Sequence, residues 1–239
     1  MGKQVCLLMR LEGPLQAWGA RSRWDVRDSA DEPTKSGLIG MLGCALGYPR
    51  GDRRLEDLDL QLSFGVRVEH PGTQILDFQT VSGSILMAAG GYRGSDDDPS
   101  TIISPRTYLQ DAAFLAVFSG PEDVLTECAA ALQSPRWPIY LGRKCCIPTR
   151  PVYECLTYEY ESVRDALEQR PWRWDGIASD SKNGPPERLR CTIDDPNGSF
   201  VRDDLIRVNP ARMYGRRSVY MFWTKFPGVE EGCGCISPA

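Results

Sequence analysis

The stretch PTKSGLIGMLGCALG, residues 33–47, constrains this chain more than any other. Leu38, Ile39, Leu42, Ala45 and Leu46 recur at spacings of three and four, which places one apolar stripe along an α-helix. Thr34 or Ser36 can cap its start, and Gly47 followed by Pro49 ends it. Gly37, Gly40 and Gly43 strip side chains from its surface and allow a close approach to neighbours. Such a stripe must be covered, and the natural cover is a sheet built elsewhere in the chain.

Candidate strands are present. Residues 5–11 read as the first, and 60–69 and 74–81 as a pair around the turn His70-Pro71-Gly72. Residues 102–110 and 113–119 read as two more, and 137–141 as a short one. A second helix, 121–132, starts at a proline and carries Val124, Leu125, Cys128, Ala131 and Leu132 on one side. The order over the first part of the chain is βαββαβ, the ferredoxin-like (RRM-like) arrangement. Residues 12–32 are a long connection, and 82–100, with Gly-Gly and Asp96 to Asp98, predict a protruding hairpin. The expected fold class is α+β: a ferredoxin-like domain over 1–147 and a small β-rich subdomain over 148–226. Residues 227–239 read as a disordered tail.

Several chemistries are disfavoured. A phosphate-binding loop of a nucleotide hydrolase needs its glycines before the Lys-Ser pair. Here Asp31-Glu32-Pro33-Thr34 precede Lys35-Ser36, and the glycines follow. What survives is either a helix start that seats a phosphate or a plain capped helix start. The only histidine, His70, sits in the proline turn without a patterned partner, and the acidic tip lacks calcium-loop spacing. Nine cysteines lack metal-ligand spacing and read as reduced thiols, so neither metal nor cofactor is expected. No apolar run reaches membrane-spanning length and the N-terminus lacks a secretory core, so the expected location is cytoplasmic with no membrane contact. The net charge of −4 excludes nucleic-acid binding by bulk attraction; only a local basic surface could do it.

Basic and aromatic residues do cluster. Trp18, Arg21, Arg23, Trp24 and Arg27 share the long first connection. Arg106 precedes Tyr108, Arg143-Lys144 follow a glycine, and Arg212, Arg216 and Arg217 flank Tyr214. Guanidinium groups grip phosphate and aromatic rings stack on splayed bases.

Five segments in order carry a family likeness: LLMRLEGPLQAWG, PTKSGLIGMLGCALG, DFQTV, TIISPRTYLQDAAF and YLGRKCCIP. Together they resemble the CasD-type subunits of type I-E CRISPR Cascade, in the fifth Cas family of the RAMP superfamily. The likeness spans most of residues 4–148 and thins afterwards, where only 214–223 looks familiar.

The resemblance implies a non-catalytic, RNA-binding subunit of an antiviral ribonucleoprotein complex. It would hold the 5′ handle of the CRISPR RNA, cap the backbone filament, contact the CasC backbone and large CasA subunits, and meet target DNA only through the complex. The hairpin over about 82–105 would be the family's thumb. The residues expected to bind RNA are Arg106, Tyr108, Lys35, Ser36, Arg143 and Lys144, then Trp18, Arg21 and Arg23 of the first connection, the two arginines lying outside the matching motifs, and Arg217. The alternative is a metal-independent endoribonuclease that processes precursor CRISPR RNA, as related subunits do with a Tyr, Lys and His set. His70, followed by proline and without a matching lysine, departs from that set.

Overall fold

A computed structural model describes residues 4–19, 26–87, 90–172, 186–208, 213–225 and 227–228. From the N-terminus the chain forms β1 (Cys6–Glu12), β2 (Leu15–Gln16), α1 (Lys35–Leu46), α2 (Arg53–Gln61), β3 (Ser63–His70) and β4 (Thr73–Gly83). There follow β5 (Ile85–Leu86), β6 (Tyr92–Arg93), β7 (Ser100–Gln110), β8 (Ala113–Ser119) and α3 (Glu122–Gln133). The last part adds β9 (Tyr153–Thr157), α4 (Val163–Gln169), β10 (Arg188–Asp194), β11 (Phe200–Arg207) and β12 (Met213–Lys225).

Strands β1 and β8 are apolar almost throughout, CLLMRLE and AFLAVFS, because both faces of the sheet are covered where they lie. Leu7, Met9 and Leu11 join Leu38, Ile39 and Leu42 of α1 and Leu125 of α3 in one core cluster. Cys6 and Leu8 point the other way and pack with Ala166 and Leu167 of α4 in a second. Each fully buried leucine contributes about 1.5–3 kcal/mol. Gly65 on β3 lets α4 close onto the sheet: a Cβ there would lie 2.5 Å from Val163 and 2.9 Å from Leu167.

The main sheet has seven strands in the order β11-β12-β10-β3-β8-β1-β9, all paired antiparallel. The architecture is thus mixed α/β, with antiparallel sheets and four helices among the described residues. The strands drawn from 148–226 do not build a separate sheet. β9 adds to one edge, beside β1, and β10, β12 and β11 extend the other, beyond β3.

Several expectations hold and others change. The first helix is capped by the Thr34 side chain, which accepts from Gly37 N, and ends at Gly47 with φ 78°. The pair expected around His70 does not form. β4 pairs along its whole length with β7, from Thr73↔Gln110 to Gly83↔Ser100, and makes a ribbon separate from the main sheet. Residues 137–141 form no strand; the place beside β1 is taken by β9. The long connection is partly organised, with β2 paired to β7 and Trp18 bridged to Ala30. Residues 173–185, most of a polar loop expected over 175–187, and the tail beyond Gly228 lie outside the described residues.

Candidate nucleic-acid interface

At the base of the ribbon, residues 26–30 form a strap alongside β7. Arg27 N donates to Pro105 O at 3.0 Å, and Thr107 N donates to Arg27 O at 2.8 Å. The strap's far end is tied to the first connection by Ala30 N to Trp18 O, 2.6 Å, and by Trp18 N to Ser29 Oγ, 2.9 Å. Gly142 closes the opposite wall with φ 97°, and a Cβ there would meet Ala17 O at 1.8 Å, so only glycine fits.

Between these walls lies a cleft of about 310 Å³. Arg27, Arg50 and Arg143 line it with Ser36, Tyr214 and Asp28. Three arginines and one aspartate line it in a chain whose net charge is −4, so the cleft is a local positive focus. A second groove of about 260 Å³ shares Ser36, Gly37 and Gly142 with it and continues along α1 past Gly40. Beyond the helix's own backbone, no described atom lies within 4 Å of a Cβ placed at Gly40, so the groove floor there is open. A cationic cleft continued by a shallow groove suits an extended anionic strand better than a compact ligand.

The residues expected to touch RNA separate into groups. Lys144 is exposed and Arg106 half-buried, its Nε donating to Ser104 Oγ at 3.4 Å opposite Asp77. Ser36 is buried but borders the cleft. Arg21 and Arg23 lie outside the described residues.

Lys35 and Arg217 need correction as surface cations. The Lys35 ammonium is enclosed, 3.4 Å from Asp59 Oδ1 and 3.2 Å from Asp194 Oδ2, and donates to Asp59 O. Arg217 forks onto Asp204 at 2.8 and 2.7 Å and also binds Asp194. Burial alone would lower the Arg217 pKa; Asp204 and Asp194 more than offset it and raise it. Burial pushes the Asp59 carboxyl up, and Lys35 pulls it only partly back.

The start of α1 is occupied as well. Lys35 N donates to Asp204 Oδ2 at 2.9 Å, and Gly37 N to Thr34 Oγ1 at 3.3 Å. A carboxylate therefore sits on the helix N-terminus where a phosphate was one of the two readings, leaving a capped start. Glu32 is likewise used inside the protein, by Arg202 at 2.8 Å and Arg190 at 3.3 Å.

The two aromatic residues expected to stack on bases are buried: Trp18 is 1% exposed and Tyr108 2%. Trp18 Nε1 donates to Gln16 Oε1 at 3.0 Å, and its ring lies 3.1 Å from a Cβ built at Gly37, so it is core. Trp18→Phe is expected to cost about 1–3 kcal/mol through the lost hydrogen bond and volume. A thermal melt should fall by several degrees while RNA affinity of the folded protein is unchanged; an affinity loss without a melt shift would return Trp18 to the interface.

Two cleft residues were under-read in the sequence. Arg27 was one of a cluster and Arg50 a single residue after a helix end, and only their convergence marks them. His70 serves its turn: its ring Nδ1 lies 2.7 Å from Asp111 O and 3.2 Å from Gly72 N. Among the described residues no three His, Cys, Asp or Glu side chains gather as a metal site, and no helix is long and apolar enough to cross a membrane.

Comparison with known proteins gives concordant matches. The family model described as "CRISPR-associated protein (Cas_Cas5)" matches residues 6–220. The protein named CRISPR system Cascade subunit CasD of Escherichia coli (strain K12) is 34% identical over 189 residues, 74% of this chain and 83% of that one. A chain of a solved CRISPR RNA-guided surveillance complex superposes with a TM-score of 0.72 at 31% identity, covering 93% of this chain and 91% of its own. A crystal structure titled only as a Cas protein gives 0.68 at 34% identity, covering 95% and 98%.

Proposed function

Because this chain belongs to the Cas5 family of CRISPR-associated proteins, we propose that it is the non-catalytic, RNA-binding CasD-type subunit of a type I-E Cascade complex. It acts in the cytoplasm, holds the 5′ handle of the CRISPR RNA, caps the backbone filament and meets target DNA only through the complex. The observation that carries this reading is the 34% identity to the E. coli Cascade subunit over 83% of that protein's length. The arginine cleft supplies the chemistry such a subunit needs: exposed guanidinium groups at the end of an open groove.

Arg27 and Arg50 join Arg106 and Lys144 as the handle's phosphate contacts, with Ser36 at the cleft wall. Tyr214, half exposed at the cleft edge, is the available ring for a splayed base. The core is read as a ferredoxin-like βαββαβ unit with β9 as its last strand. Support comes from the sheet order β3-β8-β1-β9 around α1 and α3. The units 1–147 and 148–226 are then functional divisions laid on one sheet, with the ribbon as thumb. Leu76, Phe78 and Ile103 share one exposed face of that ribbon, which supports a protein contact there, assigned to the CasC backbone subunit. CasA is the second protein partner in this reading.

Two experiments test it. Co-expressed with its partner subunits and a CRISPR array, the tagged chain should bring down a particle whose RNA has one uniform 5′ end. Incubated alone with labelled repeat RNA and a metal chelator, it should leave the RNA intact. Recovery of the particle without this chain's handle contact would overturn the binding role, and cleavage at a single position would make it an endoribonuclease.

A further inference from the structure

We infer that Arg143 is a positioning residue: it locks the 26–30 strap onto the ribbon base and so aims Arg27 into the cleft. This rests on the RNA-binding reading of the cleft only for its consequence, not for the lock itself.

Among the described residues lining the cleft, Arg143 is the cation whose head group is committed to the protein backbone. Its Nη1 donates to Thr107 O on β7 at 2.8 Å. Its Nη2 donates to Arg27 O at 2.9 Å and to Asp28 O at 3.3 Å, both on the strap. The guanidinium carbon sits 4.4 Å from the centroid of the buried Tyr108 ring. One planar fork thus bridges two segments that the chain separates widely, with an aromatic face holding its plane. Arg27 O accepts from both Arg143 and Thr107 N, so backbone pairing and side-chain lock converge on one carbonyl. A guanidinium engaged with three carbonyls has no free edge of paired donors for a bidentate phosphate contact. Arg27 and Arg50 make no such commitment among the described residues: both are exposed at the cleft. Lysine cannot replace the lock, because a single ammonium on a flexible stem cannot span both segments while stacking on the ring.

The test uses full-length Arg143→Lys, Arg143→Ala and Arg27→Ala. The first readout is amide hydrogen exchange at Arg27, Ala30 and Thr107 without RNA. The second is the salt dependence of binding to a handle-containing RNA. Arg143→Lys should speed exchange at all three amides, weaken binding about tenfold, the equivalent of about 1.4 kcal/mol, and lower the salt slope by up to about 0.7 as Arg27 loses its phosphate. Arg27→Ala should leave exchange at Ala30 as in wild type and lower the slope by about 0.7, the value for one phosphate contact on a single strand. Wild-type exchange and affinity in Arg143→Lys would overturn the lock. So would an Arg143→Ala variant with normal exchange and a slope lowered by about 0.7, which would make Arg143 a phosphate contact. Faster exchange in Arg143→Lys together with normal RNA binding by all three variants would keep the lock and overturn the cleft as the RNA site.

Discussion

Replacing Arg217 with alanine is expected to destabilise the chain by about 3–5 kcal/mol, the cost of removing one partner from a buried ionic network. Arg217 is 7% exposed, and its guanidinium holds Asp204 and Asp194 while lying 5.5 Å from the centroid of the Phe64 ring. Without it those carboxylates lose their charge partner, and Asp204 also anchors Lys35 N at the start of α1. Asp59, beneath Lys35, accepts from Ile206 N on β11 at 2.5 Å, so the same cluster ties α1 and α2 to the β10–β12 end of the sheet. Urea unfolding followed by circular dichroism measures the effect. Arg217→Lys, which keeps the charge but loses the fork, should fall between the two. A loss under about 1 kcal/mol for the alanine variant would mean that the network is not holding these elements together.

The largest functional effect is expected from removing both free cleft arginines. Arg27→Ala with Arg50→Ala should weaken binding to a handle-containing RNA by about 100-fold. That follows from about 1.5 kcal/mol for each charged contact, with a factor of ten for every 1.4 kcal/mol. The salt slope should fall by about 1.4, twice the single-contact value. Stability should stay within about 0.5 kcal/mol of wild type, because both residues are exposed at the cleft. Fluorescence anisotropy across a salt series reads both quantities. A change below threefold with an unaltered slope would move the RNA path away from this cleft. Arg217 and Arg27 are the same residue type, yet one is enclosed by carboxylates and the other is exposed at the cleft.

Local signals carried much of the fold. The spacing of Leu38, Leu42 and Ala45, with Thr34 before and Gly47 after, locates α1, since periodicity and caps act within a few residues. The apolar runs at β1 and β8 are legible for the same reason. α2 was missed because RRLEDLDLQ is mostly charged and buries only Leu55, Leu58 and Asp59. The apolar run 137–141 resembled a strand, yet Leu141 N is taken by Cys146 O and Leu141 O by Ala17 N in a turn that shapes the cleft. Short apolar runs do not state which edge they will meet.

By itself the sequence determined the family, through five ordered motifs, together with the helix, the central strands and the need for a local rather than global basic surface. Only the tertiary structure decided which cations are available. Lys35 and Asp204 lie 169 positions apart, and no local pattern announces that their backbone and carboxylate will meet. A buried charge must find opposite charge or hydrogen bonds, whereas an exposed one need not, and that choice is made by folding. The fold therefore turned Lys35 and Arg217 inward, set Arg143 across two backbone segments, and left Arg27 and Arg50 facing the cleft.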